Sequence, residues 1–174
     1  MNTKNLVLMS LLMGVGAVLY IVVPGFIGGM KPDFMLTMMF IGILLFPDIK
    51  SVFLLGLSTG VISGLFSTFP GGFVPNIIDK AVTAIVFFCL ILILKQVANK
   101  LAVAVLLTCI GTLISGTVFL STAIFIFGAS AIFQELFVLV VLPAIAFNGV
   151  AFFIIYPIVG KLLKRTKFQT ALPA

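Results

Sequence analysis

Along the chain the polar positions are few and clustered, and between them run long apolar stretches that lack the period-two alternation of β-strands. Crossing a hydrocarbon core of about 30 Å takes roughly 20 helical residues. The pattern predicts six segments: Leu6 to Val23, Phe34 to Phe46, Ser51 to Phe69, Ala81 to Leu94, Leu101 to Phe127 and Leu136 to Val159, each bounded by Gly, Pro or charge. Lipid offers no partner to a free backbone N–H or C=O, so such segments must be helices. The expected fold class is an all-α integral membrane protein, a six-transmembrane-helix bundle occupying 1–174 as one domain.

Composition strengthens this reading. Of 174 residues, 63% are apolar and 8% charged, a balance that leaves a water-soluble domain covered in sticky patches. The formal charge of +6 acquires meaning once it is sorted by membrane side. With the N-terminus inside, Lys4, Lys50, Lys95, Lys100, Lys161, Lys164, Arg165 and Lys167 fall on the inner side, and only Lys31 and Lys80 fall outside. Both termini are therefore expected in the cytoplasm. The cluster from Lys161 to Lys167 reads as an anchor to anionic lipid, and a nucleic-acid partner is not expected. The first segment lacks a cleavage pattern and is read as a retained span.

Several chemistries lose their usual residues. There is no histidine, and Cys89 and Cys109 lie in separate apolar runs, so neither a metal site nor a disulfide is expected. Gly160-Lys161 is followed by Leu162 and has no upstream glycine, so there is no Walker A loop. The chain reads as a non-enzyme with no cofactor; any ATP is hydrolysed by partner subunits, unless a coupling ion drives it.

Two of the predicted segments are too short. The second and fourth, with 13 and 14 uncharged residues, reach about 20 Å as helices. Each must stop short of one surface or draw flanking charges into the membrane. Those charges are Lys31 with Asp33, and Asp79 with Lys80. Ionisable groups at this depth need a partner or a wet cavity, which makes them candidates for a binding site; self-neutralising interfacial ion pairs are the other reading. Gly28 and Gly29 precede the first pair, and Pro70, Gly71, Gly72 and Pro75 the second, as in sharp turns where backbone approaches a ligand. An anion could sit at helix N-termini near Pro32 and Asn76. Phe26, Met30, Phe34, Met35, Phe69 and Phe73 offer an aromatic and thioether lining for a planar guest, or ordinary core filling. Asn148, five residues beyond Pro143, marks a kink with a polar neighbour in the last segment. Glu135 reads as a favourable charge at that segment's N-terminus.

Small residues mark close helix contacts. Gly56, Gly60 and Gly64 form a ridge in the third segment, with Gly111 and Ser115 a lesser version in the fifth. In the first segment Ser10 with Gly14, and Met13 with Ala17, present small groups one turn apart, a face that could meet a partner.

The stretches Gly28-Gly-Met-Lys-Pro-Asp33, Phe69-Pro-Gly-Gly72, Pro75-Asn-Ile-Ile-Asp-Lys80, Gly111-Thr with Ser115-Gly, Val141-Leu-Pro-Ala144 and Ile155-Tyr-Pro-Ile158 resemble the TrpP-like bacterial tryptophan transport proteins over nearly the whole chain. Those proteins look like substrate-binding S components of energy-coupling factor (ECF) transporters. The resemblance implies tryptophan as substrate, a multi-pass place in the bacterial plasma membrane, and docking on a transmembrane coupling subunit that works with two ATPase subunits. S components commonly dock through an Ala-xxx-Ala face on the first helix, for which Ser10, Gly14, Met13 and Ala17 are the matching places. The expected site gathers Met30, Lys31, Asp33, Phe34, Phe69, Gly71, Gly72, Phe73, Asn76, Asp79, Lys80 and Asn148. In it Lys31 or a helix N-terminus takes the substrate carboxylate, Asp33 or Asp79 the ammonium, and Phe and Met side chains the indole. Alternatives are an S component for another small nutrient such as a vitamin, a stand-alone ion-coupled tryptophan carrier, and a structural membrane protein without ligand.

Overall fold

A computed structural model describes residues 3–24 and 31–164, and every regular element in them is helical. In chain order these are α1 (Thr3–Val22), α2 (Phe34–Leu45), α3 (Ile49–Leu65), α4 (Phe73–Ile93), α5 (Leu101–Ser121), α6 (Phe133–Leu136) and α7 (Leu142–Lys164). A π-helical turn, Thr122–Ile126, extends α5, and a second, Phe137–Val141, joins α6 to α7. Four of the resulting rods are long and apolar enough to cross a membrane: Thr3–Val22, Phe73–Ile93, Leu101–Ile126 and Phe133–Leu163. Helices α2 and α3 are apolar but shorter.

Helix α2 is the hub. All of its 12 residues are buried, and it touches α1, α3, α4, α5 and α7. At 1.5 Å per residue it is about 18 Å long, so it stops short of a full crossing. Small residues let it sit so deep. A Cβ on Gly16 of α1 would come within 3.1 Å of Met38, and one on Gly111 of α5 within 2.6 Å of Phe40. The Phe40 ring fills that notch and stacks on Phe87 of α4, with centroids 4.1 Å apart.

Helix α4 departs from the sequence pattern, which starts it at Ala81. It starts at Phe73, because Pro75 lies in the first turn, where its missing N–H costs no helical bond. Asp79 and Lys80 are therefore inside the helix rather than before it. The ridge on α3 holds α4 in place: a Cβ on Gly56, Gly60 or Gly64 would lie 2.8 Å from Ala84 Cβ, Ile77 Cα or the Phe73 carbonyl, respectively. This ridge serves packing within the bundle. Ahead of α7, the widened π turn lies where Pro143 cannot donate to the Leu139 carbonyl, taking up the distortion expected there as a kink.

Candidate functional site

Asp33 caps the N-terminus of α2: its Oδ1 accepts from the Leu36 amide at 2.9 Å, and its carbonyl accepts from the Thr37 hydroxyl at 3.0 Å. The α2 amide terminus is therefore already taken by the chain's own carboxylate and is not open to an external anion. From α7, Asn148 Oδ1 accepts from the Asp33 amide at 2.7 Å, while Asn148 Nδ2 donates to Thr112 of α5 at 3.2 Å. The kink-side asparagine ties three helices together at one end of α2.

Asp33 also reaches α4. Lys80 Nζ lies 3.1 Å from Asp33 Oδ2, 2.7 Å from Asp79 Oδ2 and 3.0 Å from Ser115 Oγ. An ammonium has three N–H donors, and these three acceptors use them. Asp79 is equally occupied: Oδ2 also accepts from Ser115 at 2.9 Å, and Oδ1 accepts from Thr83 at 2.9 Å. Its side chain is fully buried, whereas the Asp33 carboxylate keeps 30% exposure. The sequence pairs Lys31 with Asp33 and Lys80 with Asp79; in the fold Lys80 bridges both aspartates.

Lys31 turns elsewhere. Its Nζ donates to the Tyr20 carbonyl of α1 and sits 3.9 Å from the centroid of the Tyr20 ring. It is half-buried, and one bond leaves it donors to spare. Lys31 and Lys80 with Asp33 and Asp79 sum to zero charge.

These groups border a cavity of about 590 Å³, within the range of small-molecule sites. Of the residues expected in the site, Lys31, Asp33, Phe69, Asn76, Asp79, Lys80 and Asn148 line it. The rest divide. Met30 lies outside the described residues, as do Phe26, Gly28 and Gly29. Phe34 is buried at the start of α2, and Met35 belongs to the apolar core, away from the cavity. Gly71, at φ +70°, and Gly72 make the turn into α4, while Phe73 packs on Gly64. Asn76 is not at a helix end but in the first turn of α4, donating to the Gly72 carbonyl at 2.7 Å. Glu135 stands in the first turn of α6, exposed.

The aromatic wall differs from the expected one. Phe69 meets Phe119 edge to face at 5.4 Å between centroids, and both line the cavity together with Tyr20 and Phe147. No methionine among the described residues lines it. Tyr20, Phe119, Phe147 and the hydroxyls of Ser63, Thr112 and Ser115 escape the sequence reading. Single residues of these types inside apolar runs carry no pattern; Ser115 stands out as a small packing residue, and Thr112 only within a stretch that carries the family resemblance.

On α1 the two possible docking pairs face opposite ways. Ser10 and Gly14 are exposed, along an apolar groove with Val7, Leu11 and Val18. Met13 is buried, its sulfur accepting from Thr59 of α3 at 3.0 Å, and Ala17 packs against the core.

Comparison with known proteins gives one consistent result. The family described as "Tryptophan transporter TrpP" matches residues 2–164. A Bacillus subtilis (strain 168) protein named "Probable tryptophan transport protein" is 50% identical over 98% of this chain and 99% of its own length. Similar proteins with the same name occur in Clostridium acetobutylicum, 42% identical over 94% of this chain and 96% of the relative, and in Clostridium perfringens, 37% identical over 94% and 95%. No solved structure matches.

Proposed function

The chain belongs to the TrpP family of tryptophan transporters, multi-pass proteins of the bacterial plasma membrane, and from that premise we propose that it is the substrate-binding S component of an ECF-type importer for tryptophan. In this reading the chain crosses the membrane six times, α2 supplying the middle of one short crossing, with both termini cytoplasmic. Tryptophan enters the cavity at the Asp33 end of α2, and the chain then works with a transmembrane coupling subunit and two ATPase subunits that hydrolyse the ATP.

The observation that carries the proposal is the contrast in bonding capacity around one cavity. Lys80 and Asp79 are saturated and hold one another, so they position the site. Lys31 has unused donors and Asp33 unused acceptor sites and exposure. Two residues apart, they present a cation with spare donors and a carboxylate with spare acceptor sites to a guest bearing an ammonium and a carboxylate. A zwitterion entering a site of zero net charge adds no uncompensated charge to a low-dielectric interior. Charge-assisted hydrogen bonds to Lys31 and Asp33 fix the amino-acid end, and the Phe69–Phe119 pair with Phe147 supplies a surface for the flat ring.

The α1 groove supports the coupling half of the proposal. Ser10 and Gly14 lie on the exposed face, in the register where another helix can approach closely. A second reading, an ion-coupled carrier working alone, draws on Asp79 being deeper in its helix than the sequence suggests. Lys80, Ser115 and Thr83 together hold that carboxylate, which favours a fixed ion pair over a site that takes up and releases ions.

Two measurements test this. Calorimetry on the solubilised chain should show one tryptophan bound per chain, with thiamine and riboflavin producing no heat. Chain alone in liposomes should bind tryptophan but not accumulate it; accumulation driven by an ion gradient without any ATPase would overturn the S-component assignment.

A further inference from the structure

Hydroxyl groups inside apolar helices usually close on the carbonyl four residues back. Ser58 does so on Leu54, Thr108 on Ala104, Thr117 on Leu113 and Thr122 on Val118, at 2.7–2.9 Å. Ser63 does not. Its Oγ is sealed from solvent and has no hydrogen-bond partner, alone among buried side-chain polar atoms of the described residues. Ser63 lines the cavity that holds Lys31 and Asp33. Three other cavity hydroxyls are engaged: Thr112 with Asn148, Ser115 with Asp79 and Lys80, and Ser67 with the Phe69 amide at 3.3 Å.

An unpaired buried hydroxyl is costly, and a binding cavity is where that cost is recovered when the guest arrives. The guest proposed above carries one polar group apart from its charged end, the indole N–H, a donor with no accepting capacity. When an indole is buried, that N–H needs an acceptor.

We infer that Ser63 is a specificity-determining residue whose Oγ accepts the indole N–H of bound tryptophan. The inference rests on the tryptophan reading above. In the bound state a turn about the Ser63 Cα–Cβ bond brings Oγ to the cavity face, where it accepts the indole N–H and keeps its own proton. A flat guest of the same shape without the N–H leaves the hydroxyl as it is now, unpaired.

The test compares tryptophan with 3-benzothienylalanine, in which sulfur replaces the indole N–H, by calorimetry on the purified full-length chain. The unaltered protein should prefer tryptophan about tenfold or more. Ser63→Ala should bring the ratio toward unity through lost tryptophan affinity, while Ser63→Thr, which keeps a hydroxyl, should retain the preference. Because Ser63 bonds nothing in the empty protein, Ser63→Ala without ligand should melt no lower than the parent.

A parent that binds both compounds equally, or a Ser63→Ala variant that keeps the full preference, overturns the inference and leaves tryptophan as the substrate. A marked fall in ligand-free melting temperature or failure to fold in Ser63→Ala also overturns it, by showing a packing role. If the parent binds no tryptophan, the functional reading itself fails and the inference with it.

Discussion

Lys31 and Lys80 border the same cavity and are used in opposite ways. Lys80, 4% exposed in the middle of the bundle, spends all three of its protons on Asp79, Asp33 and Ser115. Lys31, at the edge, rests on the Tyr20 carbonyl and ring with capacity left over. A buried charge surrounded by committed partners is architecture, since moving it costs several bonds at once. A half-exposed charge on one backbone carbonyl can exchange that contact for a better one. The presence of a lysine in a membrane cavity therefore says less about recognition than the state of its protons.

The largest effect should come from breaking the saturated side. Lys80→Met strands Asp79 without its cation and should destabilise the protein by about 3–5 kcal/mol, seen as a lower melting temperature in detergent with or without ligand. Lys31→Ala should leave ligand-free melting unchanged but weaken tryptophan binding by about 1.5–3 kcal/mol, the worth of a hydrogen bond to a charged group. If the two variants behave alike in both measurements, the division between them is wrong. Gly60→Ala acts at one remove: its Cβ would lie 2.8 Å from the Ile77 backbone, so α4 must shift, at a cost of about 1–3 kcal/mol in stability together with some loss of binding as Lys80 moves. Tyr20→Leu should do least. It leaves the carbonyl that holds Lys31 and removes only the ring, changing tryptophan affinity by about 0.5–1 kcal/mol.

Much of this molecule is legible before folding. The apolar runs, the glycine ridge of α3 and the suspect status of four charged residues follow from spacing alone, because lipid and close helix contact admit few residue types. The sequence also poses a dilemma for its two short segments, and the fold answers it differently in each. Helix α2 stays short, wrapped by neighbours on every side; α4 extends back to Phe73 and takes Asp79 and Lys80 inside. Pro75 permits the longer start of α4, but only the packing of neighbouring helices selects it. The Asp33 carboxylate that balances Lys80 comes from another helix, 47 positions away in the chain, and periodicity is blind to such a partner. Met35, expected at the site, is instead one of several adaptable fillers with Met9, Met13, Met38 and Met39 in the tight space around α2. Lone polar residues such as Tyr20 and Ser63 acquire significance only when a cavity forms beside them.

The enclosure of α2 bears on how the protein is made. Its wall includes α7, the last helix to emerge during synthesis, and Asp33 finds Lys80 and Asn148 only when α4 and then α7 have arrived. The second helix to be translated is thus among the last to be sealed. A chain truncated before Leu142 leaves that hub with an open flank and an amide at Asp33 lacking its asparagine, so biogenesis has a built-in point at which unfinished copies differ from complete ones.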